Sequence, residues 1–174
     1  MSHRVIHNRR YLGAPQAGDV MPPFALTDQD GRLVTSDELT GHGPLVLFFY
    51  PQDDSVGCTA EACAFRDGHA ELSAAGATVV GISPDGADSH ARFREKHHLP
   101  YRLLSDPDGE VARRFGVRTF LRLLPGRETF VVDSQGVVRA HLRSLSQPRR
   151  HVAMALAAVR RLGGGGASEA PCAS

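Results

Sequence analysis

Two apolar segments lie in the middle of the chain: a continuous run at residues 45–50, and Thr-Val-Val-Gly-Ile-Ser at residues 78–83. Runs of this length without polar alternation are typical of strands buried on both faces of a sheet. Other apolar residues recur at helical spacing, as they do along the buried face of an amphipathic helix. The helices predicted from this spacing cover residues 58–75, 88–97, 110–115 and 149–162. Strands that alternate with helices in this way are expected to be parallel neighbours.

Turn signals at both ends of this pattern predict β-hairpins. One turn is Asp-Gln-Asp-Gly at residues 28–31, and the other is Ser-Gln-Gly at residues 134–136. The remaining predicted strands cover residues 23–27, 32–34, 101–105, 129–133 and 137–142. The sequence therefore predicts an α/β fold with a mixed central sheet and helices on both of its faces. This order is compatible with a thioredoxin-like fold that carries an N-terminal β-hairpin extension.

The length and net charge of the chain limit its domain organisation and the classes of partner it could bind. A chain of 174 residues suits one domain, which we expect over residues 18–162, between a flexible leader (1–17) and a flexible glycine-rich tail (163–174). The net charge of +1 argues against a nucleic-acid partner, and no apolar run approaches the length of a membrane span. The polar, arginine-bearing start lacks the apolar region of a signal peptide, so we expect a cytoplasmic location.

Candidate chemistry concentrates at Cys58, which follows the first apolar run and lies at or near the start of the predicted helix. The unpaired N–H groups and the dipole of a helix N-terminus favour an anion, and this placement lowers the pKa of a cysteine. The thiolate is the nucleophilic form of the side chain. A small buried cysteine with no chemical role remains the alternative at this stage.

The second cysteine, Cys63, lies five residues further along the same predicted helix. Five steps of an α-helix leave two side chains about 140° apart, which does not bring two sulfurs within bonding distance. A Cys58–Cys63 disulfide would therefore require the first turns of the helix to unwind, whereas a Cys63 that is only packed in the core needs no such change. Thiolates on opposed helix faces with no nearby histidine do not predict a metal site, and no cofactor is expected.

Pro51, Ser55 and Cys58 match the pattern Pro-x-x-x-Thr/Ser-x-x-Cys, through which the chain resembles the peroxiredoxins. The segment from Cys58 to Cys63, Cys-Thr-x-Glu-x-Cys, resembles the Q-type subgroup, also called bacterioferritin comigratory protein. Further similar segments extend the resemblance over about residues 18–162. They comprise residues 18–31, 115–117 and 127–133, with Asp67 following the cysteine motif.

The resemblance implies a thiol peroxidase that serves antioxidant defence. Cys58 would be the peroxidatic cysteine and Cys63 the resolving cysteine, joined in an intrasubunit disulfide that thioredoxin or a similar dithiol reduces. Ser55 would hold the hydroperoxide, Arg127 would stabilise the thiolate and the developing charge, and Pro51 would cover the site. Hydrogen peroxide and organic hydroperoxides are the expected substrates, and a monomer is the expected state.

Several residues leave room for other interpretations. Serine at position 55 replaces the family's usual threonine, and Val56 stands where many Q-type members have proline. Glu61 is expected to cap the helix start. Cys172 is expected to be a solvated thiol in the tail. The alternative functions are a one-cysteine peroxidase with an external thiol reductant, and a non-catalytic binding or chaperone module on the same scaffold.

Overall fold

The computed structural model describes residues 13–120 and 124–164 of the chain. These residues form nine strands and six helices, and the central strands are connected by helices as predicted. The strands are β1 (Ala25–Asp28), β2 (Leu33–Thr35), β3 (Leu45–Phe49), β4 (Thr78–Ser83), β5 (Arg102–Ser105), β6 (Thr119–Phe120), β7 (Leu124–Pro125), β8 (Glu128–Val132) and β9 (Val138–Arg143). The helices are α1 (Ser36–Thr40), α2 (Val56–Asp67), α3 (His69–Ala74), α4 (Ala87–His97), α5 (Glu110–Arg114) and α6 (Pro148–Gly164).

Seven of the strands form one mixed sheet in the order β2-β1-β5-β4-β3-β8-β9. The central pairs β3–β4 and β4–β5 are parallel, as expected for strands joined by helical crossovers. Both predicted hairpins are antiparallel at the two edges, β1–β2 at one and β8–β9 at the other. The mixed sheet of a thioredoxin-like fold is thereby confirmed.

Strand β3 divides the core in two because its side chains alternate between the faces of the sheet. Leu45, Leu47 and Phe49 pack with residues of α1 and α5, whereas Val46 and Phe48 pack with residues of α2, α3, α4 and α6. All five side chains are fully buried. Helices therefore cover both faces, and α2 lies on the second face, directly after β3 in the chain.

The helix predicted over residues 58–75 is two helices, and this part of the prediction is wrong. Helix α2 begins at Val56 and ends before Gly68, and α3 follows at once. The backbone N–H of Gly68 donates to the carbonyl of Ala64, and a side chain here would meet a methyl group of Val152 at 2.6 Å. The close approach of α6 at this point explains why a glycine occupies the junction.

The small hairpin of β6 and β7 is also missing from the sequence prediction, since two-residue strands carry no periodic signal. Most of the predicted leader and tail lies outside the described residues, and α6 extends two residues further than predicted. None of the helices of residues 13–120 and 124–164 is both long and apolar enough to cross a lipid bilayer.

Candidate active site

Cys58 is the third residue of α2 and is only 1% exposed. The helix begins at this point because Ser55 adopts an extended conformation (φ −72°, ψ 144°) and its Oγ accepts a hydrogen bond from the N–H of Cys58 at 3.4 Å. The first turn of α2 contains no acidic residue. The positive end of the helix dipole therefore acts on the Cys58 sulfur without a neighbouring carboxylate in that turn.

Arg127 lies at the same end of the sheet as Cys58, although it is distant in the sequence. It directly precedes β8, whose first residue, Glu128, lies opposite Phe49 at the end of β3. This antiparallel pairing places Arg127 beside the loop that leads into α2, with its Nη2 3.7 Å from the Sγ of Cys58. A second nitrogen, Nη1, donates to the carbonyl of Leu145 at 2.6 Å and so fixes the direction of the guanidinium.

Gly57 provides the space through which the guanidinium reaches the sulfur. A Cβ at this position would lie 1.9 Å from Nη2 of Arg127, far inside van der Waals contact. The glycine before Cys58 is thus required by a side chain that lies 70 positions away in the sequence. No local pattern around residue 57 indicates this requirement.

Glu61 is completely buried one turn after Cys58. Its Oε2 lies 3.8 Å from Nε of Arg127 and its Oε1 lies 3.5 Å from Nδ1 of His151. Neither oxygen has a hydrogen-bond partner among the described residues. Burial raises the pKa of Glu61 to about 8, although the charge of Arg127 opposes the increase.

The expectation that Glu61 caps the helix start is therefore wrong. Helix α2 begins two residues earlier than predicted, so Glu61 lies on its second turn and Ser55 supplies the cap instead. A carboxyl group with a pKa of about 8 is mostly protonated at pH 7. The positive charge of Arg127 then remains available to an anionic sulfur at Cys58.

His151, on α6, lies next to Glu61 in this site. Its Nε2 donates to the carbonyl of Ser144 at 2.9 Å, and its Nδ1 accepts from the hydroxyl of Thr129 at 2.8 Å. Burial lowers the pKa of His151, with Arg127 contributing in the same direction, so the imidazole is neutral at pH 7. The sequence analysis missed this residue, because a lone histidine on an amphipathic helix carries no signal of a distant partner.

The loop between β3 and α2 is held by a buried polar cluster centred on Asp53. Its carboxylate accepts from the hydroxyls of Tyr50 and Ser89 at 2.7 and 2.8 Å and lies 2.9 Å from Nδ1 of His90. The N–H of Asp53 donates to Asp85 at 2.8 Å. These contacts join the loop to α4 and to the segment that follows β4, and so they fix the loop that carries Ser55.

Pro51 opens this loop and is partly buried, and the loop passes through a left-handed residue, Asp54 (φ 57°). Lys96 forms an ion pair with Asp54 at 2.8 Å, with His97 close by. The covering role predicted for Pro51 stays a prediction. The loop around Pro51 is nevertheless held at two successive residues, Asp53 and Asp54.

Cys63 lies on the same intact helix as Cys58, and both are free thiols. Unlike Cys58, Cys63 is partly exposed, and it borders a cavity of about 480 Å³ between α2 and the start of α6. In an ideal α-helix, Cα atoms five residues apart are separated by about 8.6 Å, beyond the range of a disulfide. The structure thus places the two cysteines near each other but not in bonding geometry. Cys172 lies outside the described residues.

Comparisons with known proteins agree with this site and fold. The sequence profile described as the AhpC/TSA family matches residues 17–141. A chloroplastic peroxiredoxin Q of Sedum lineare is 46% identical over 136 residues, which are 78% of this chain and 73% of that protein. The peroxidoxin BcpB of Mycobacterium tuberculosis superimposes with a TM-score of 0.79 at 40% identity, covering 85% of this chain and 98% of that one.

A structure of the Xanthomonas campestris bacterioferritin comigratory protein, described in terms of its alkyl peroxide reduction activity, has a TM-score of 0.73. It is 28% identical and covers 83% of this chain and 99% of its own. The buried cysteine, the arginine beside it and these similarities lead to one conclusion. The chain belongs to the AhpC/TSA family, within its peroxiredoxin Q group, and is a thiol peroxidase.

Proposed function

We propose that Cys58 is the peroxidatic cysteine of a peroxidase that reduces hydroperoxides. The observation that carries the proposal is the convergence of Arg127 Nη2 and the N-terminus of α2 on the Cys58 sulfur. The thiolate attacks one peroxide oxygen, an S–O bond forms and the O–O bond breaks. Cys58 becomes a sulfenic acid, and the departing oxygen takes a proton to leave as water or an alcohol.

Arg127 would also stabilise the negative charge that develops on the departing oxygen. As the O–O bond breaks, negative charge moves from sulfur to that oxygen, and a guanidinium already fixed by Leu145 stabilises it without reorganisation. The hydroxyl of Ser55 would exchange its long contacts, both 3.4 Å, for a hydrogen bond to the peroxide. Pro51 would limit the access of water to the reacting atoms.

Resolution of the sulfenic acid falls to Cys63 in this proposal. The Cys63 thiolate attacks the Cys58 sulfur, the S–S bond forms, the S–O bond breaks and the oxygen leaves as water after taking up a proton. Part of α2 must unwind for this step, because the intact helix holds the Cα atoms too far apart. A dithiol such as thioredoxin then supplies two electrons by thiol–disulfide exchange, entering beside the partly exposed Cys63.

The substrate class and setting follow from the same reasoning. We propose hydrogen peroxide and organic hydroperoxides as substrates, supported for the latter by the alkyl peroxide reduction of the similar Xanthomonas protein. We also propose that the protein works in the cytoplasm as a monomer, since a resolving cysteine within the same chain needs no second subunit.

A coupled assay with thioredoxin, thioredoxin reductase and NADPH tests the proposal on wild type, Cys58→Ser and Cys63→Ser. We expect Cys58→Ser to lose all turnover, and Cys63→Ser to reduce one equivalent of peroxide and then stop. Peptide mapping after one equivalent of peroxide should find a Cys58–Cys63 disulfide in wild type. Sustained turnover of Cys63→Ser with an external monothiol, without that disulfide, would instead support the one-cysteine mechanism.

A further inference from the structure

The two halves of α2 are held by contacts of very different strength. In the N-terminal half, the cap from Ser55 and the contact from Arg127 are long, at 3.4 and 3.7 Å. Val56 is 91% exposed, and the carboxyl group of Glu61 forms no hydrogen bond with the described residues. Gly57 adds a residue of low helix propensity. Although Cys58 and Glu61 are buried, this half therefore has few side-chain hydrogen bonds to lose when it unwinds.

The C-terminal half is anchored to the rest of the protein at three successive points. The hydroxyl of Tyr101 donates to the carbonyl of Ala62 at 2.6 Å, and the ring of Phe65 stacks on Phe48 with centroids 4.6 Å apart. Arg66 donates from Nη1 to the carbonyl of His97 at 3.0 Å. Short hydrogen bonds and a buried aromatic stack make this half the more stable one.

Tyr101 is the anchor nearest to the cysteines. The carbonyl that it binds belongs to the peptide unit between Ala62 and Cys63, so this bond acts directly on the backbone that carries the Cys63 sulfur. Tyr101 is 4% exposed, and its ring packs edge-on against Phe48 with a centroid distance of 5.7 Å. Burial raises the pKa of Tyr101 well above its usual value, with Cys63 as the next contribution, so the hydroxyl stays a donor.

We propose that Tyr101 is a positioning residue for the resolving step. Its hydrogen bond to the carbonyl of Ala62 ends the unwinding of α2 just before Cys63. Cys58 therefore moves towards Cys63, and Cys63 keeps its position. The proposal rests on the disulfide proposed above. In an intact helix the two Cα atoms are about 2 Å too far apart for a disulfide. Unwinding the residues between them changes their separation by far more than this. Unwinding beyond Ala62 is therefore unnecessary, and a fixed Cys63 keeps the effective concentration of the resolving sulfur high.

Hydrogen–deuterium exchange locates the boundary of unwinding. In wild type carrying the Cys58–Cys63 disulfide, we expect the amides of residues 60–62 to lose protection and those of Arg66 and Asp67 to keep it. In oxidised Tyr101→Phe, Arg66 and Asp67 should exchange about fivefold faster than in wild type, the factor that corresponds to one lost hydrogen bond. Thr40→Val, which also removes a buried hydroxyl bond but lies on α1, on the other face of the sheet from α2, is the matched control.

A kinetic measurement separates positioning from general stability. After one equivalent of peroxide, Tyr101→Phe should form the sulfenic acid as fast as wild type and close the disulfide several-fold more slowly. The proposal would be overturned if residues 60–67 of oxidised wild type all lost protection equally. It would also be overturned if Tyr101→Phe matched wild type in both measurements. Either result would leave the peroxidase mechanism intact. Absence of the disulfide in wild type would overturn both this proposal and the resolving role of Cys63.

Discussion

Replacing Glu61 with glutamine tests whether this buried carboxyl group is neutral in the folded protein. A pKa of about 8 in the folded state, against 4.5 for the exposed group, means that folded protein binds a proton that unfolded protein releases between these pH values. The stability that Glu61 contributes is therefore fully present below pH 4.5 and is lost as the pH rises towards 8. A shift of this size corresponds to roughly 5 kcal/mol in total, of which about 3 kcal/mol is lost at pH 7.

Denaturant unfolding of wild type and Glu61→Gln between pH 5 and 8.5 measures this contribution. Both proteins should carry Cys58→Ser, which removes the titration of the neighbouring thiol. The amide of glutamine has nearly the shape of the protonated carboxyl group but does not ionise. We expect Glu61→Gln to be the more stable protein at pH 7, by about 3 kcal/mol. Its advantage should grow by about 1.3 kcal/mol per pH unit between pH 5 and 7, and by about 1 kcal/mol between pH 7 and 8, where the curve flattens near the pKa.

Comparing the two proteins at each pH cancels the other groups that titrate nearby. His151 faces Glu61 from α6 and Arg127 faces it from the start of β8, but both are the same in the two variants. If Glu61 were ionised and paired with Arg127, wild type would be the more stable protein and the difference would stay constant above pH 5. That result would refute the neutral carboxyl group and with it the view that Arg127 is free to serve Cys58.

Two other predictions concern the site and its loop. Arg127→Gln should lower kcat/KM for hydroperoxide by at least about 100-fold. Gly57→Ala should cause a similar loss, because the new methyl group displaces the guanidinium. The double variant should then be no worse than Arg127→Gln. Gly163→Ala, whose Cβ meets nothing within 4 Å, is the control, and additive losses in the double variant would contradict the contact. In denaturant unfolding, Asp53→Asn should cost about 2 kcal/mol because it disrupts a buried hydrogen-bond cluster. The exposed Asp54→Asn should cost less than about 1 kcal/mol. Equal costs would show that the buried cluster does not hold the loop.

The local pattern of the chain was enough to predict the strands and most of the helices. The apolar run at 45–50 identified β3, the turn at 134–136 identified the β8–β9 hairpin, and the position of Cys58 at a helix start followed from what precedes it. These features depend on the period of apolar residues and on turn chemistry, which act over a few neighbouring positions. The break at Gly68 escaped prediction, and the residue that requires glycine there, Val152, belongs to another helix.

The environment of the cysteine was decided by tertiary structure. Arg127 was named from the sequence only through a family resemblance; its approach to Cys58 and the need for glycine at position 57 follow from the pairing of β3 with β8. The neutral state of Glu61 depends on burial by α6, and the anchoring of Cys63 depends on a tyrosine that lies 38 residues away. Periodicity specifies which faces are buried, but charge, proton affinity and mobility depend on which distant groups share the same desolvated space.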